Sequence, residues 1–270
     1  MQQKNKRQLC DTMKAIILSA GQGRRLLPLT RRRPKCLINL SGISILEWQL
    51  FALREAGVEE VVVVTGFAAE EVEKAVHQAD IRSMRVRLLH NPFYAVSDNL
   101  ASCWVARHEM TGEFFIINGD TLSEPTIAKR LLANDKAPIV VTIDRKSNYD
   151  ADDMKVSVEG DRLRAIGKTL NPSIVNGESI GFLRFNARGA ELFLDEIDRA
   201  MKSEQGLKQW YLSAIDTIAK ASGEVGTLSV EGLEWCEIDF PADLRKGEAM
   251  TRGWLAGYDG NEKLVRESHS

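Results

Sequence analysis

An apolar run enters a glycine-rich loop at Ala15-Ile16-Ile17-Leu18-Ser19-Ala20-Gly21-Gln22-Gly23. Four consecutive apolar residues are typical of a parallel strand that is covered on both faces. Because glycine lacks a Cβ atom, a strand that ends in Gly-x-Gly lets a phosphate approach the backbone closely. Dinucleotide-binding loops have a third glycine at the position where this chain has Leu26. The Walker pattern requires Gly-Lys-Ser/Thr, and here Arg24-Arg25 follows the glycine instead. The stretch therefore predicts a phosphate loop of neither common kind, or else a tight turn with solvated arginines.

Charge is nearly balanced over the 270 residues, with 36 Lys and Arg against 38 Asp and Glu. This balance argues against nucleic acid or an anionic membrane as the partner of the whole chain. Residues 21–46, however, contain no acidic side chain, and they carry six cations: Arg24, Arg25, Arg31, Arg32, Arg33 and Lys35. Crowded like charges repel unless an anion neutralises them, so we expect an anionic ligand here. For Arg31, Arg32 and Arg33, an exposed solvated face is an equal alternative.

Several function classes are excluded by simpler features. The four cysteines lie far apart with no zinc-ligand spacing, which indicates reduced thiols in a cytoplasmic protein. No apolar run approaches the roughly 20 residues of a membrane-spanning helix. Only four histidines are present, and no Ser-His or Cys-His nucleophile arrangement is recognisable.

The order of patterns predicts an α/β fold. In the first half, predicted strands lie at 15–18, 61–64, 86–89 and 114–117, and predicted helices at 45–56, 70–79 and 99–110. This alternation predicts a mainly parallel sheet with helices on both faces. From residue 138, short strands are predicted at 139–143, 154–158, 163–166, 180–185, 225–230 and 235–238, with helices at 187–201, 207–221 and from 242. We interpret the second half as a β-rich C-terminal elaboration of the same sheet.

Domain organisation follows from the absence of a Gly-, Pro- and Ser-rich linker between the two halves. We predict a flexible N-terminal extension over 1–13, a single domain over 14–256 and a polar tail over 257–270.

Two aspartates each follow a predicted strand. Asp120 comes after the strand at 114–117, and Asp239 comes after the one at 235–238. Carboxylates at the C-terminal ends of strands face the ligand crevice of an open α/β sheet, where one or two of them can hold Mg²⁺ together with phosphate oxygens. A turn or a helix cap is the alternative role of such an aspartate.

The glycine-rich loop and its continuation resemble a known family. Residues 18–30 and 34–37 are similar to the pattern A-A-G-x-G-x-R-L-x-P-L-T followed by K-P-L, which opens the sugar-1-phosphate nucleotidyltransferases, with Ser19 and Cys36 as departures. The resemblance implies a Rossmann-like three-layer α/β/α fold with a mainly parallel mixed sheet. It also implies catalytic roles for Arg25 and Lys35 on the nucleotide phosphates. It assigns nucleotide binding to the loop residues Leu18, Ser19, Ala20, Gly21, Gln22 and Gly23.

The same resemblance extends to the two aspartates. Asn118-Gly119-Asp120 and Glu237-Ile238-Asp239 match the two metal-binding positions of the family. The resemblance therefore implies that Asp120 and Asp239 ligate Mg²⁺, and Glu237 is a possible third ligand.

Further stretches are more similar to the cytidylyltransferases that act on phosphocholine or 2-aminoethylphosphonate. These stretches are Asn91-Pro92-Phe93-Tyr94, 96–102, Tyr149-Asp150, 153–156, Ile166-Gly167-Lys168 and 176–181. The resemblance implies that Asn99 and Ser102 lie near the base. It places Lys155, Lys168 and Glu178 around the acceptor and the transferred phosphate, with catalytic roles for Lys155 and Lys168 and acceptor binding for Glu178. An exposed strand position is the alternative for Lys155.

The acceptor itself is less closely specified by the sequence. A quaternary ammonium group prefers aromatic faces and a nearby carboxylate. Glu178 could supply the carboxylate, and the aromatic candidates are Trp104, Trp210, Tyr211 and Trp235, of which Trp210 and Trp235 are assigned to acceptor binding. We therefore expect a Mg²⁺-dependent transfer of CMP from CTP to a small phosphorylated or phosphonate acceptor, with phosphocholine preferred.

Other functions stay open on sequence grounds. A sugar-1-phosphate or inositol-1-phosphate nucleotidyltransferase could use UTP or another nucleotide. A regulator could bind a nucleotide without catalysis, and a nucleic-acid binder could use the arginine run. We expect no nucleic acid and no membrane as partners, and a homo-oligomer is left open.

Overall fold

A computed structural model describes residues 13–79, 81 and 84–258 of the chain. Apart from Met13, the predicted N-terminal extension lies outside the described residues, and so does the predicted tail beyond Tyr258. The strands are β1 Lys14–Ser19, β2 Asn39–Leu40, β3 Ile43–Ser44, β4 Glu60–Thr65, β5 Arg85–His90, β6 Phe114–Asn118, β7 Thr121–Ser123, β8 Ile139–Asp144, β9 Lys155–Glu159, β10 Arg162–Gly167, β11 Gly177–Phe185, β12 Val225–Ser229 and β13 Trp235–Glu237. The helices are α1 Ile45–Glu55, α2 Ala69–Gln78, α3 Asn99–Val105, α4 Pro125–Leu132, α5 Ala187–Met201, α6 Tyr211–Ser222 and α7 Pro241–Tyr258.

The central sheet is mixed and contains nine strands in the order β5-β4-β1-β6-β11-β8-β12-β10-β9. Strands β5, β4, β1 and β6 run parallel, as do β8 and β12. Strand β11 runs antiparallel to both β6 and β8. The predicted α/β fold with a mixed sheet is therefore confirmed, and the parallel pairing is concentrated in the first half of the chain.

Apolar runs form the middle strands because both faces of the sheet are covered. Along β1 and β4, alternate residues point to opposite faces. Ile16 and Val62 belong to one buried cluster, and Ile17 and Val63 belong to another. A third cluster packs α1 against α7 beneath β7 and β13. These clusters produce the layered arrangement of helices on both sides of the sheet.

Helix α1 follows its sequence signals closely. A capping box starts it, since the Ser44 hydroxyl accepts from the Glu47 N–H and the Glu47 carboxylate accepts from the Ser44 N–H. Gly57, at φ 85°, follows its end. Helix α5 occupies the predicted range 187–201.

Three predicted helices differ from the structure. Helix α3 ends at Val105, and a 3₁₀ turn at Arg107–Glu109 replaces its predicted second half. Helix α6 starts at Tyr211, later than predicted, because residue 210 is extended. Helix α7 runs to Tyr258 and enters the predicted tail. Helix α4 was not predicted from the sequence, although Pro125 stands at its first turn, where proline is favoured.

Strand β13 pairs with β7 in a separate two-stranded sheet. This pairing differs from the prediction that residues 235–238 form a strand of the open sheet whose end faces the crevice. In the structure, the β7 pairing brings β13 to the segment that directly follows Asp120, and the Ile238 N–H donates to the Asp120 carbonyl at 3.1 Å. The two aspartates are therefore brought together by this small sheet.

Candidate active site

The glycine-rich loop is braced by its own hydrogen bonds. Gln22 Nε2 donates to the Thr30 carbonyl at 3.2 Å, and the Thr30 hydroxyl donates to the Gly23 carbonyl at 2.8 Å. Gly23 has a φ of 74°, and a Cβ atom there would lie 2.9 Å from Cβ of Lys35. Gln22 and Gly23 therefore shape the loop and pack it against the Lys35 stem.

Lys35 joins the two predicted metal ligands. Its ammonium lies 2.8 Å from Oδ2 of Asp120 and also pairs with Oδ1 of Asp239. Burial alone would lower the pKa of Lys35, but the two carboxylates outweigh this effect and raise the pKa above its ordinary value. Lys35 is therefore a protonated cation held at the centre of the site.

Arg25 lies on the more exposed side of this group. Its guanidinium is 3.5 Å from Oδ2 of Asp239 and 3.1 Å from Oδ1 of Asp152. The guanidinium carbon also lies 5.1 Å from the centre of the Phe240 ring. The structure thus brings Arg25, Lys35, Asp120 and Asp239 together, as the sequence analysis expected.

The carboxylates suit a hard divalent cation. Oδ1 of Asp120 is buried and has no hydrogen-bond partner among the described residues. Burial and the negative charges of Asp120 and Asp239 raise the pKa of Glu237 to about 8. Mg²⁺ is usually held by one or two carboxylates together with phosphate oxygens, so this oxygen-rich set fits the ion. Within the described ranges, no three His, Cys, Asp or Glu side chains form a metal cluster, so the role of Glu237 as a third ligand stays a prediction.

A cavity of about 250 Å³ lies beside this cluster, and Asp120 forms part of its wall. Loop residues Leu18, Ala20 and Gly21 line it from one side. Asn99 and Ser102 line it from α3. Five of the residues predicted to bind the nucleotide therefore share one cavity, which is named the nucleoside pocket after that prediction.

Ser19 is oriented differently. It is buried, and a Cβ atom added to Gly119 would collide with its hydroxyl oxygen. The Ser19 side chain therefore packs under the end of β6, and the structure does not place it with Leu18, Ala20 and Gly21 in the pocket lining.

Six lining residues of the nucleoside pocket were not singled out as site residues: Asn91, Tyr94, Ser97, Asp98, Asn118 and Gly119. Asn91 Nδ2 donates to the Ser102 hydroxyl at 3.0 Å. The Asn91-Pro92 turn signal was visible in the sequence, but its contact with α3 was not. Asn99 Oδ1 accepts from the Tyr211 N–H at 2.9 Å, so Asn99 also ties α3 to α6.

Lys168 borders the nucleoside pocket through Trp210. The Lys168 ammonium lies 4.9 Å from the centre of the Trp210 ring and 3.7 Å from Oδ1 of Asp152. Arg25 also contacts Asp152, so this one carboxylate holds two of the predicted catalytic cations. Sequence reasoning missed Asp152, which precedes the recognised 153–156 stretch.

Lys155 is buried, so it is not an exposed strand residue. Its ammonium donates to the carbonyls of Asp153 at 3.3 Å and Lys168 at 3.1 Å, and also to that of Asp150. In this arrangement Lys155 anchors the backbone that carries Lys168. A direct contact with the transferred phosphate stays a prediction.

Glu178 is a buried carboxylate on β11. Lys146 pairs with it at 2.9 Å and with Asp153 at 2.8 Å. Burial is the main cause that raises the pKa of Glu178 to about 7, and the neighbouring Asp153 adds to it. Glu178 therefore gains its full negative charge only as the pH rises above about 7, and Lys146 is its cationic partner.

The four aromatic candidates do not form one cage. Trp210 is partly exposed and lines the nucleoside pocket. Trp235 donates to Asp144 at 2.8 Å, and Tyr211 is completely buried in the core. Trp104 donates to Asp198 at 3.1 Å and stacks on the Arg107 guanidinium. Of the four, Trp210 is the one placed beside Lys168, a cation predicted to contact the acceptor or the transferred phosphate.

A comparison with known protein families shows which family the chain belongs to. Residues 15–214 match the family model described as the MobA-like NTP transferase domain. The chain belongs to this family. Its resemblance to nucleotidyltransferases, stated above on the loop motif, is thereby confirmed.

Two curated relatives of this MobA-like transferase act with cytidine nucleotides, according to their names. The chain is 30% identical to a CMP-5'-(3-aminopropyl)phosphonate synthase of Streptomyces rubellomurinus over 87% of its own length, but it spans only 38% of that relative. It is 26% identical to a choline-phosphate cytidylyltransferase of Streptococcus pneumoniae, covering 89% of this chain and 99% of the relative.

A solved structure supports the fold of the MobA-like transferase. The inositol-1-phosphate CTP transferase from T. maritima superposes with a TM-score of 0.75 at 22% identity, covering 89% of this chain and 96% of the other.

Every helix in the described part of the chain is too short or too polar to cross a membrane.

Proposed function

We propose that the protein transfers CMP from CTP to a small phosphorylated or phosphonate acceptor and releases pyrophosphate. The observation that carries this proposal is the position of the Lys35, Asp120 and Asp239 cluster at the wall of the nucleoside pocket. A nucleotide seated in that pocket would direct its phosphates toward this cluster. The names of the two curated relatives support cytidine as the nucleoside.

The transfer needs no nucleophile from the protein. The acceptor phosphate or phosphonate oxygen is already ionised at neutral pH, and it attacks the α-phosphorus as the bond to pyrophosphate breaks. Arg25 and Lys35 supply positive charge for the departing pyrophosphate. Asp120 and Asp239, with Glu237 beside them, would hold Mg²⁺, which when bound neutralises charge on phosphate oxygens.

On the acceptor side, we assign Lys168 to the acceptor phosphate or phosphonate. Its neighbour Trp210 and the carboxylate of Glu178 suit an amine or quaternary ammonium group. Phosphocholine and aminoalkylphosphonates combine both kinds of charge, and phosphocholine is our preferred acceptor.

One experiment separates this function from its rivals. The protein is incubated with Mg²⁺, each of the four nucleoside triphosphates and a panel of acceptors, and pyrophosphate is measured. The panel contains phosphocholine, 2-aminoethylphosphonate, inositol-1-phosphate and glucose-1-phosphate. We expect the highest rate with CTP and an amine-bearing acceptor. A higher rate with a sugar phosphate and UTP would replace this proposal, and binding without turnover in every combination would identify a regulator.

A further inference from the structure

The wall of the nucleoside pocket contains a buried pair of polar side chains. Asn91 lies at the end of β5 and is 1% exposed, and Ser102 on α3 is 3% exposed. Both line the pocket, and Asn91 Nδ2 lies 3.0 Å from the Ser102 hydroxyl oxygen. A nucleobase entering the pocket would therefore meet this pair in a place shielded from water.

The orientation of the Asn91 amide is determined by the backbone. The Phe93 N–H donates to Asn91 Oδ1 at 2.9 Å. If the amide were turned over, its NH₂ group would face this N–H, and two donors would oppose each other. The amide nitrogen of Asn91 must therefore point toward Ser102.

This orientation determines what Ser102 presents to a ligand. Because the hydroxyl oxygen accepts from Asn91, its own proton must point elsewhere. No acceptor in the described part of the chain takes that proton. The Ser102 hydroxyl is therefore available as a hydrogen-bond donor toward the pocket.

We infer that Ser102 selects cytosine over uracil by donating to the base, and that Asn91 is the positioning residue that holds Ser102 in the donating state. The two pyrimidines differ at ring position 3, where cytosine carries an acceptor nitrogen and uracil carries an N–H. A fixed donor matches the first and opposes the second. A buried donor left without an acceptor is costly, so discrimination of about tenfold or more is expected.

This inference rests on the proposed function, because it takes the cavity to be the site of a nucleobase. Its test uses the affinities for CTP and UTP, measured by calorimetry, and does not require turnover. We expect the wild-type protein to bind CTP about tenfold or more tightly than UTP. Ser102→Ala removes the donor and leaves a good helix former, so the CTP-to-UTP affinity ratio should fall toward one.

The Asn91→Asp variant tests the positioning role directly, and it is measured at pH 8. The introduced carboxylate still accepts from the Phe93 N–H, but it now also accepts from the Ser102 hydroxyl, which then turns its lone pairs to the pocket. The affinity ratio should shift toward UTP by about tenfold or more. Asn186→Asp is the matched control, since Asn186 only accepts from the Gly189 N–H at the start of α5.

The results distinguish a failure of the inference about Ser102 from a failure of the proposed function. Equal binding of CTP and UTP by the wild type, preference for UTP, or an unchanged ratio in Ser102→Ala overturns the inference. Should Asn91→Asp fail to fold, Ser102→Ala alone decides. A protein that prefers CTP in this Ser102-dependent way but turns over no acceptor retains the inference and loses the proposed function.

Discussion

The ammonium nitrogen of Lys35 lies 2.8 Å from Oδ2 of Asp120, although 85 residues separate the two along the chain. The same nitrogen pairs with Asp239, which is 204 residues away. One buried cation thus holds together two carboxylates from distant segments. Both the activity and the metal response of the protein should depend on this contact.

Replacing Lys35 should separate catalysis from folding. Lys35→Ala removes the cation that would stabilise the triphosphate, and loss of one such charge typically lowers turnover by about 100-fold or more. Pyrophosphate release with CTP and the preferred acceptor measures this loss. Lys220→Ala is the control, because Lys220 is an exposed cation of α6 paired with Asp216. A Lys35→Ala protein with near-normal release would remove Lys35 from the proposed mechanism.

Asp120→Asn should abolish the response to Mg²⁺. The unpaired Oδ1 of Asp120 and the neighbouring carboxylates favour ion binding to the folded state, so Mg²⁺ should raise the melting temperature of the wild type by about 2 °C or more. The variant should lose this shift and the Mg²⁺-dependent activity. Asp195→Asn, on the exposed face of α5, should retain both. An equal shift in Asp120→Asn and wild type would contradict the assignment of this residue as a ligand.

Two glycine substitutions should have opposite effects on stability. Gly23→Ala forces a side chain into a left-handed conformation and against the Lys35 stem, which should cost about 1–2 kcal/mol and weaken nucleotide binding. Gly253→Ala, at an exposed position of helix α7 with no atom near the new methyl, should stabilise by about 0.5–1 kcal/mol. Urea unfolding and calorimetry with CTP measure both effects. A Gly23→Ala protein as stable as the wild type would show that the loop adapts without strain.

The ion pairs that Glu109 forms with Arg87 and Lys14 should weaken in acid. Hydrogen bonds from Arg87 are the main cause that lowers the pKa of Glu109 to about 2, and Lys14 adds to them. Because this pKa is lower in the folded state, the group stabilises the protein above the usual pKa of about 4.5. The contribution is lost as the pH falls from 4.5 toward 2.

Glu109→Gln tests this dependence. At pH 7 the variant should be less stable than the wild type by about 1 kcal/mol, and the difference should shrink toward zero near pH 2.5. Urea unfolding across this range provides the measurement. A difference that does not vary with pH would assign the effect of the substitution to packing.

Secondary structure was most predictable where local signals agreed. Helix α1 has a capping box at Ser44 and a terminating Gly57, and its predicted range was close to the observed one. The predicted start of α6 was wrong because the segment before Tyr211 meets the start of α3: the Asp98 N–H donates to the Leu207 carbonyl, and Asn99 Oδ1 accepts from the Tyr211 N–H. Such contacts override local helix propensity.

Local signals in the chain were sufficient to identify the buried strands, the glycine loop and the charged residues that could bind a nucleotide. Those features depend on hydrophobic periodicity and on the conformational freedom of glycine, which are properties of short segments. Which charges meet became visible only in the folded protein, where Lys35 lies between Asp120 and Asp239 and the Asn91 amide faces Ser102. A hydrogen bond or an ion pair requires atoms about 3 Å apart, and only the packing of β6, β7, β13 and α3 brings residues so distant in the chain within that range.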